Sequence, residues 1–241
     1  MNSRPDEHPA DEPAPEQTAA RMVPLCTGAI LIACVLVYVW EERIGLNMSQ
    51  AFDAYGFIPK SLMSPQYVPP EDAHLSAPAT VITAMFLHGS VWHLIGNMLY
   101  LWVFGKSIEA AMGHARFVLF YLVSGVAAAM TMAFMDPASG IPMVGASGAI
   151  SGLLGAYLLL HPRRQIEIYV PIGIILYPVR IGAIWVAGAW FAMQLLSAAT
   201  ITPDSPGVTW WAHIGGFLAG MALTPFLKSS RLPLLARGKT R

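Results

Sequence analysis

Gly145-Ala146-Ser147-Gly148-Ala149-Ile150-Ser151-Gly152 sets a serine at the head of a strongly apolar segment. No Asp, Glu, Lys or Arg occurs between Asp136 and Arg163, so the run is long enough to reach across a bilayer. Polar side chains are costly there and mark functional positions. Working outward, a second charge-free run carries Ala212-His213-Ile214-Gly215-Gly216, and upstream a third carries His93 and Asn97, one helical turn apart. Serine, histidine and two further polar side chains, all in apolar surroundings, point to hydrolysis inside a membrane.

Composition agrees. Of the 241 residues 55% are hydrophobic and 12% charged, with a mean hydropathy of +0.54, whereas a soluble domain carries about 25% charged residues. The net charge of zero gives nothing to attract nucleic acid. Cys26 and Cys34 lie eight apart in the first apolar run, too close on one helix to bond each other, and read as inert core thiols.

Residues 1–21 form a polar tail with four prolines and five carboxylates, a composition that reads as disordered. It lacks the basic region and cleavage site of a signal peptide. Residues 22–227 hold six candidate spans, at 22–40, 80–104, 117–135, 147–160, 179–199 and 208–227, with a long loop after the first. Residues 228–241 form a basic tail. The fourth span is short, so Ser147 is expected below the membrane surface, with the irregular segment 137–146 dipping into the bilayer under protein cover. With six spans both tails share one side, and that side holds twelve of the fourteen Lys and Arg; only Arg43 and Lys60 lie opposite. Both termini are therefore expected in the cytoplasm, with Ser147, His213, His93 and Asn97 at similar depth.

The residue types suit acyl transfer. At a helix start, backbone N–H groups lack intrahelical partners and the helix dipole favours negative charge, so an oxyanion beside Ser147 can be held. Gly145 and Gly148 allow unusual backbone angles and close approach. A neutral imidazole at His213 can accept the serine proton. Gly216 and Gly220 extend along the His213 helix as a small-residue seam that matches Gly148, Gly152 and Gly155 on the Ser147 helix. His93 and Asn97 share a face and supply uncharged hydrogen-bonding groups, while His88 lies on the opposite side of the span and steadies its entry. A capping serine and a packing histidine fit Ser147 and His213 taken singly. Zinc held by His88, His93 and His213 is disfavoured, because no H-E-x-x-H motif or cysteine pair accompanies them. Asp136 and Asp204 read as solvated loop residues, so a dyad is the sharper reading than a triad.

Together, His88-Gly-Ser-Val-Trp-His93-Leu-Ile-Gly-Asn97, Gly145-Ala-Ser147-Gly148 and Ala212-His213-Ile-Gly-Gly216 with Gly220 resemble the rhomboid family of intramembrane serine proteases, over residues 84–220. Glu109 matches an acidic residue that the family places beyond its second helix. The resemblance implies an all-α membrane fold, a six-helix bundle with a short central fourth helix and a long first loop. It implies Ser147 as nucleophile, His213 as base, and His93 and Asn97 as oxyanion partners. No cofactor or metal is expected, and substrates are expected to be single-span membrane proteins in a bacterial inner (plasma) membrane. Two positions depart from the pattern. Ala79 and Thr80 stand where many members carry Trp-Arg, and Ser151 stands where some carry a tyrosine that stacks on the base. Two other functions stay open: an inactive rhomboid-like protein that binds membrane clients, which would typically lack the serine or histidine, and a small transporter, which would show mid-span carboxylates or inverted repeats.

Overall fold

The structure, a computed structural model, describes residues 22–43, 48–69, 71, 73, 75–172, 175–200 and 210–235. The acidic tail 1–21, Asp204 and the last part of the basic tail fall outside them. The described residues are mostly helical. They comprise α1 (Leu25–Arg43), α2 (Met48–Tyr55), α3 (Pro59–Met63), α4 (Ala77–Thr83), α5 (Val91–Tyr100), a π-helical turn (Leu101–Gly105), α6 (Lys106–Met112), α7 (His114–Met135), α8 (Ser147–Leu160), β1 (Gln165–Ile172), β2 (Ile175–Gly182), α9 (Ala183–Thr200) and α10 (Trp210–Leu227).

Burial orders these elements. Eleven of the 14 residues of α8 are buried, as expected of a helix that is apolar all round and surrounded by others. It rises about 21 Å, less than a hydrocarbon core of about 30 Å. α7 and α10 flank it. α1 lies at the periphery, with Ile32 57% and Leu36 62% exposed, and Trp92, Phe134, Trp185 and Phe226 present further large apolar surface on other helices. A water-soluble protein does not tolerate so much exposed apolar area, whereas lipid covers it at no cost. By length and apolarity α1 and α7 suffice for a full crossing, while α8 and the apolar part of α9 are shorter.

The α8–α10 contact is backbone on backbone. A Cβ on Gly216 would strike the Gly148 carbonyl, one on Gly220 the Gly152 backbone, and one on Gly155 the Phe217 carbonyl. The small-residue seams expected from the sequence face each other, and dispersion between closely approaching helices replaces side-chain interdigitation.

Three features differ from the sequence reading. The expected span 80–104 is interrupted: helix α4 ends at Thr83, residues 84–90 are not α-helical, and a new helix starts at Val91. Ser90 causes the restart, because its Oγ accepts the His93 amide hydrogen at 3.1 Å and caps α5. The fold is also not purely α-helical. Residues 165–172 and 175–182 pair as two antiparallel strands, with Glu167 opposite Arg180 and the Arg180 Nε donating to Glu167 Oε2 at 3.1 Å. This stretch is rich in Ile, Val and Tyr, which favour pleated backbone, and in a two-stranded ribbon each strand is an edge that admits Pro171 and Pro178. The fifth helix consequently begins at Ala183, four residues later than the expected 179.

The irregular segment 137–146 finds hydrogen-bond partners in the long first loop and at the end of α4. Phe57 and Met143 exchange both backbone bonds at 3.0 and 2.7 Å, Lys60 N donates to Ser139 O at 3.0 Å, and Gly145 N donates to Ala84 O at 2.8 Å. Thr83 Oγ1 ties α4 to Tyr55 O at 2.6 Å. These bonds anchor the loop without a Trp-Arg pair, and they satisfy backbone that lipid could not.

Candidate active site

Ser147 is the first residue of α8, and Ala146 before it makes no side-chain cap to the amides at this helix start. The approach to Ser147 is shaped by Gly145, whose φ of +121° few side-chain-bearing residues adopt. A Cβ at Gly145 would come 2.8 Å from His93 Cε1 and 3.6 Å from Asn97 Nδ2. The glycine thus lets the 145–147 backbone lie directly against both polar side chains of α5.

His213 sits in the first turn of α10, three residues before Gly216. Because Gly216 rides on the Gly148 carbonyl, the two helix starts are held together, and His213 Nε2 lies 2.8 Å from Ser147 Oγ. That is hydrogen-bond distance across 66 residues of sequence. An imidazole nitrogen so placed can take the hydroxyl proton. The other ring nitrogen, Nδ1, lies 2.8 Å from Oε1 of Gln194 on α9. Trp190 and Trp210 flank the ring at centroid distances of 5.8 and 6.3 Å. Ser151, at the position where the resemblance would put a stacking tyrosine, instead donates to Ser147 O at 2.6 Å. Gln194, Trp190 and Trp210 were not singled out from the sequence. The available signal was a lone carboxamide in an otherwise apolar span, at a place where polar groups are rarely idle.

Asn97 is 7% exposed, and its Nδ2 is buried with no hydrogen-bond partner. An unpaired buried donor is unfavourable by itself, but it suits a group that forms its bond only when a negative oxygen develops nearby. His93 stacks edge-on against His88 with ring centroids 5.3 Å apart. His88 is fully buried in the 84–90 segment, not on a helix shared with Asn97, and its Nδ1 donates to Phe86 O at 3.1 Å. It therefore braces the entry to α5.

One nitrogen of His88 is engaged by Phe86, and the two nitrogens of His213 by Gln194 and Ser147. Elsewhere, Cys26, Glu109 and His114 bring potential ligand atoms within 4.8 Å of one another. Glu109 is already occupied: it accepts the Cys26 and Thr27 amides at 2.8 Å each, the Thr27 hydroxyl at 2.6 Å and His114 Nδ1. A fully buried carboxylate from α6 thus caps the first turn of α1, a helix 82 residues earlier, where orphan amides and the helix dipole both favour an anion.

A family model described as a rhomboid domain matches residues 76–230. The chain is 31% identical over 152 residues to "Rhomboid protein 1, mitochondrial" of Saccharomyces cerevisiae, covering 61% of this chain and 41% of that protein. It is 26% identical over 200 residues to "Rhomboid protease GlpG" of Salmonella choleraesuis, covering 82% of this chain and 61% of the relative. The chain therefore spans between two fifths and three fifths of the length of these curated relatives.

Proposed function

This chain belongs to the rhomboid family, and from that premise we propose that it is an intramembrane serine endopeptidase that cleaves single-span membrane proteins. The observation that carries the reading is the 2.8 Å approach of His213 Nε2 to Ser147 Oγ at the start of a buried helix. Ser147 Oγ attacks the scissile carbonyl carbon as His213 Nε2 takes its proton. The carbonyl oxygen becomes an oxyanion held by Asn97 Nδ2, His93 and the amides at the start of α8. The C–N bond breaks, and the proton passes from His213 to the leaving amine. Water then adds to the acyl-serine ester with His213 again as base, which releases the carboxylate and restores the hydroxyl.

An integral membrane protein is the setting the family gives. Six crossings with both termini in the cytoplasm, in a bacterial inner membrane, complete the proposal, supported by the one-sided distribution of Lys and Arg. An inactive client-binding relative has no need of a serine and histidine within hydrogen-bond reach. The test uses purified protein in proteoliposomes with a fluorophosphonate probe and a single-span reporter. Labelling and reporter cleavage are expected from the wild type and from neither Ser147→Ala nor His213→Ala. Unlabelled, inactive wild type that binds the reporter would establish the client-binding function instead.

A further inference from the structure

The sequence offers no carboxylate beside His213, which leaves open what orients the base. The structure places an uncharged group there. Gln194 is the carboxamide of α9, it is 2% exposed, and its Oε1 lies 2.8 Å from His213 Nδ1. Among the described residues the two ring nitrogens bond Gln194 and Ser147, and the titratable side chain close enough to act on the ring's charge is His93.

We propose that Gln194 is a positioning residue for His213, fixing by its carbonyl oxygen the tautomer and ring orientation that proton transfer from Ser147 requires. This rests on the hydrolytic reading above. A neutral imidazole carries one hydrogen, and only the bare nitrogen can accept a proton. A carboxamide oxygen accepts and cannot donate, so opposite Nδ1 it retains the hydrogen there and leaves the Nε2 lone pair toward Ser147 Oγ. The reversed amide would donate to Nδ1 and force the hydrogen onto Nε2, blocking the transfer. In a Ser–His–Asp triad a carboxylate performs this orienting task. A carboxylate buried among the apolar side chains of α9 would need a charged partner, whereas an amide supplies the acceptor without charge. Trp190, one turn before Gln194 on α9, lies against the imidazole at 5.8 Å and 47° and restricts its rotation. Base orientation thus passes to α9, in keeping with Ser151 pointing to its own helix backbone.

The experiment measures the fluorophosphonate labelling rate of Ser147 and its pH profile in proteoliposomes for wild type, Gln194→Met and Gln194→Glu. Met keeps the length and flexibility of Gln but lacks the acceptor. Gln194→Met is expected to label about ten- to a hundredfold more slowly, the range for a lost hydrogen bond to a group that becomes charged. Gln194→Glu is expected to label faster than Gln194→Met. Its acidic limb should move to higher pH by about 1 unit or more, because an adjacent anion stabilises the imidazolium. A residue that only packs would lose little in Gln194→Met and so leave nothing for Gln194→Glu to rescue, whereas the shifted limb reports that residue 194 lies against the imidazole. Gln194→Met labelling within twofold of wild type, or Gln194→Glu with the wild-type acidic limb, overturns the assignment. If Gln194→Met does not fold, the Gln194→Glu profile decides alone. Failure of the hydrolytic reading looks different: the wild type itself is then not labelled at Ser147.

Discussion

Adding one methyl group to the helix seam, by Gly216→Ala, should disconnect the serine from the histidine without touching either. A Cβ at Gly216 would lie 3.0 Å from the carbonyl carbon of Gly148 and closer still to its oxygen, and 3.4 Å from Ala128 Cβ. The obstructing atoms are backbone, so no rotamer change relieves the clash. Ordinary carbon contacts fall at about 3.5–4.0 Å, so α8 and α10 must separate locally by about 1 Å. The clash is one turn from His213 on α10 and one residue from Ser147 on α8, so most of the displacement reaches the 2.8 Å contact. At nearly 4 Å that contact is no longer a hydrogen bond. Overpacking of this kind costs about 1–3 kcal/mol in stability, while a misplacement of about 1 Å in a catalytic pair costs about a hundredfold in rate. Gly220→Ala puts its Cβ 2.6 Å from the Gly152 carbonyl carbon, one turn further from the pair. It should be as destabilising but less inactivating. Gly28→Ala on α1 meets nothing within 4 Å and serves as the control, neutral or slightly stabilising because Ala exceeds Gly in helix propensity. The assay is the initial rate of reporter cleavage in proteoliposomes alongside thermal melting in detergent. Gly216→Ala that cleaves within threefold of wild type would refute the claim that the seam sets the Ser147–His213 distance.

Three further outcomes are expected. Asn97→Ala should lower kcat about 10²–10³-fold, by about 2.7–4 kcal/mol, with KM little changed, because Asn97 Nδ2 has no ground-state partner to lose; a change confined to KM would assign Asn97 to substrate binding. Glu109→Ala should lower the melting temperature strongly, since it strands the Cys26 and Thr27 amides, and charge-assisted bonds are worth about 1.5–3 kcal/mol each; unchanged melting would show that α1 is held by its apolar contacts alone. A reporter carrying Gly-Ala near the outer end of its span should be cut faster than the same span rebuilt as poly-Leu, because unwinding in lipid strands backbone groups at several kcal/mol each; equal rates would mean that local helix instability does not select the substrate.

Local pattern in the sequence determined the membrane class, the apolar segments and the placement of the serine at a helix head. Exclusion of charge over 137–162 leaves few alternatives to burial in lipid or protein. The helix 147–160 lies where the sequence reading put its fourth span, and Gly145 ahead of it and Pro162 behind it punctuate the chain there. Small residues at 148, 152, 155, 216 and 220 also carry their meaning locally, since a helix repeats every 3.6 residues and the seam follows from spacing. The interruption at 84–90 and the paired strands 165–172 and 175–182 were not legible. Apolar content is the same for helix, strand and buried loop, and periodicity cannot separate them within short runs. Least visible of all were the long-range partners. That Glu109 caps a helix 82 residues earlier, and that Gln194 meets His213 across 19 residues, depends on how three or more helices pack. A polar side chain in an apolar span announces that it must have a partner, but which partner is decided only when tertiary packing brings distant backbone and side-chain groups within hydrogen-bond reach.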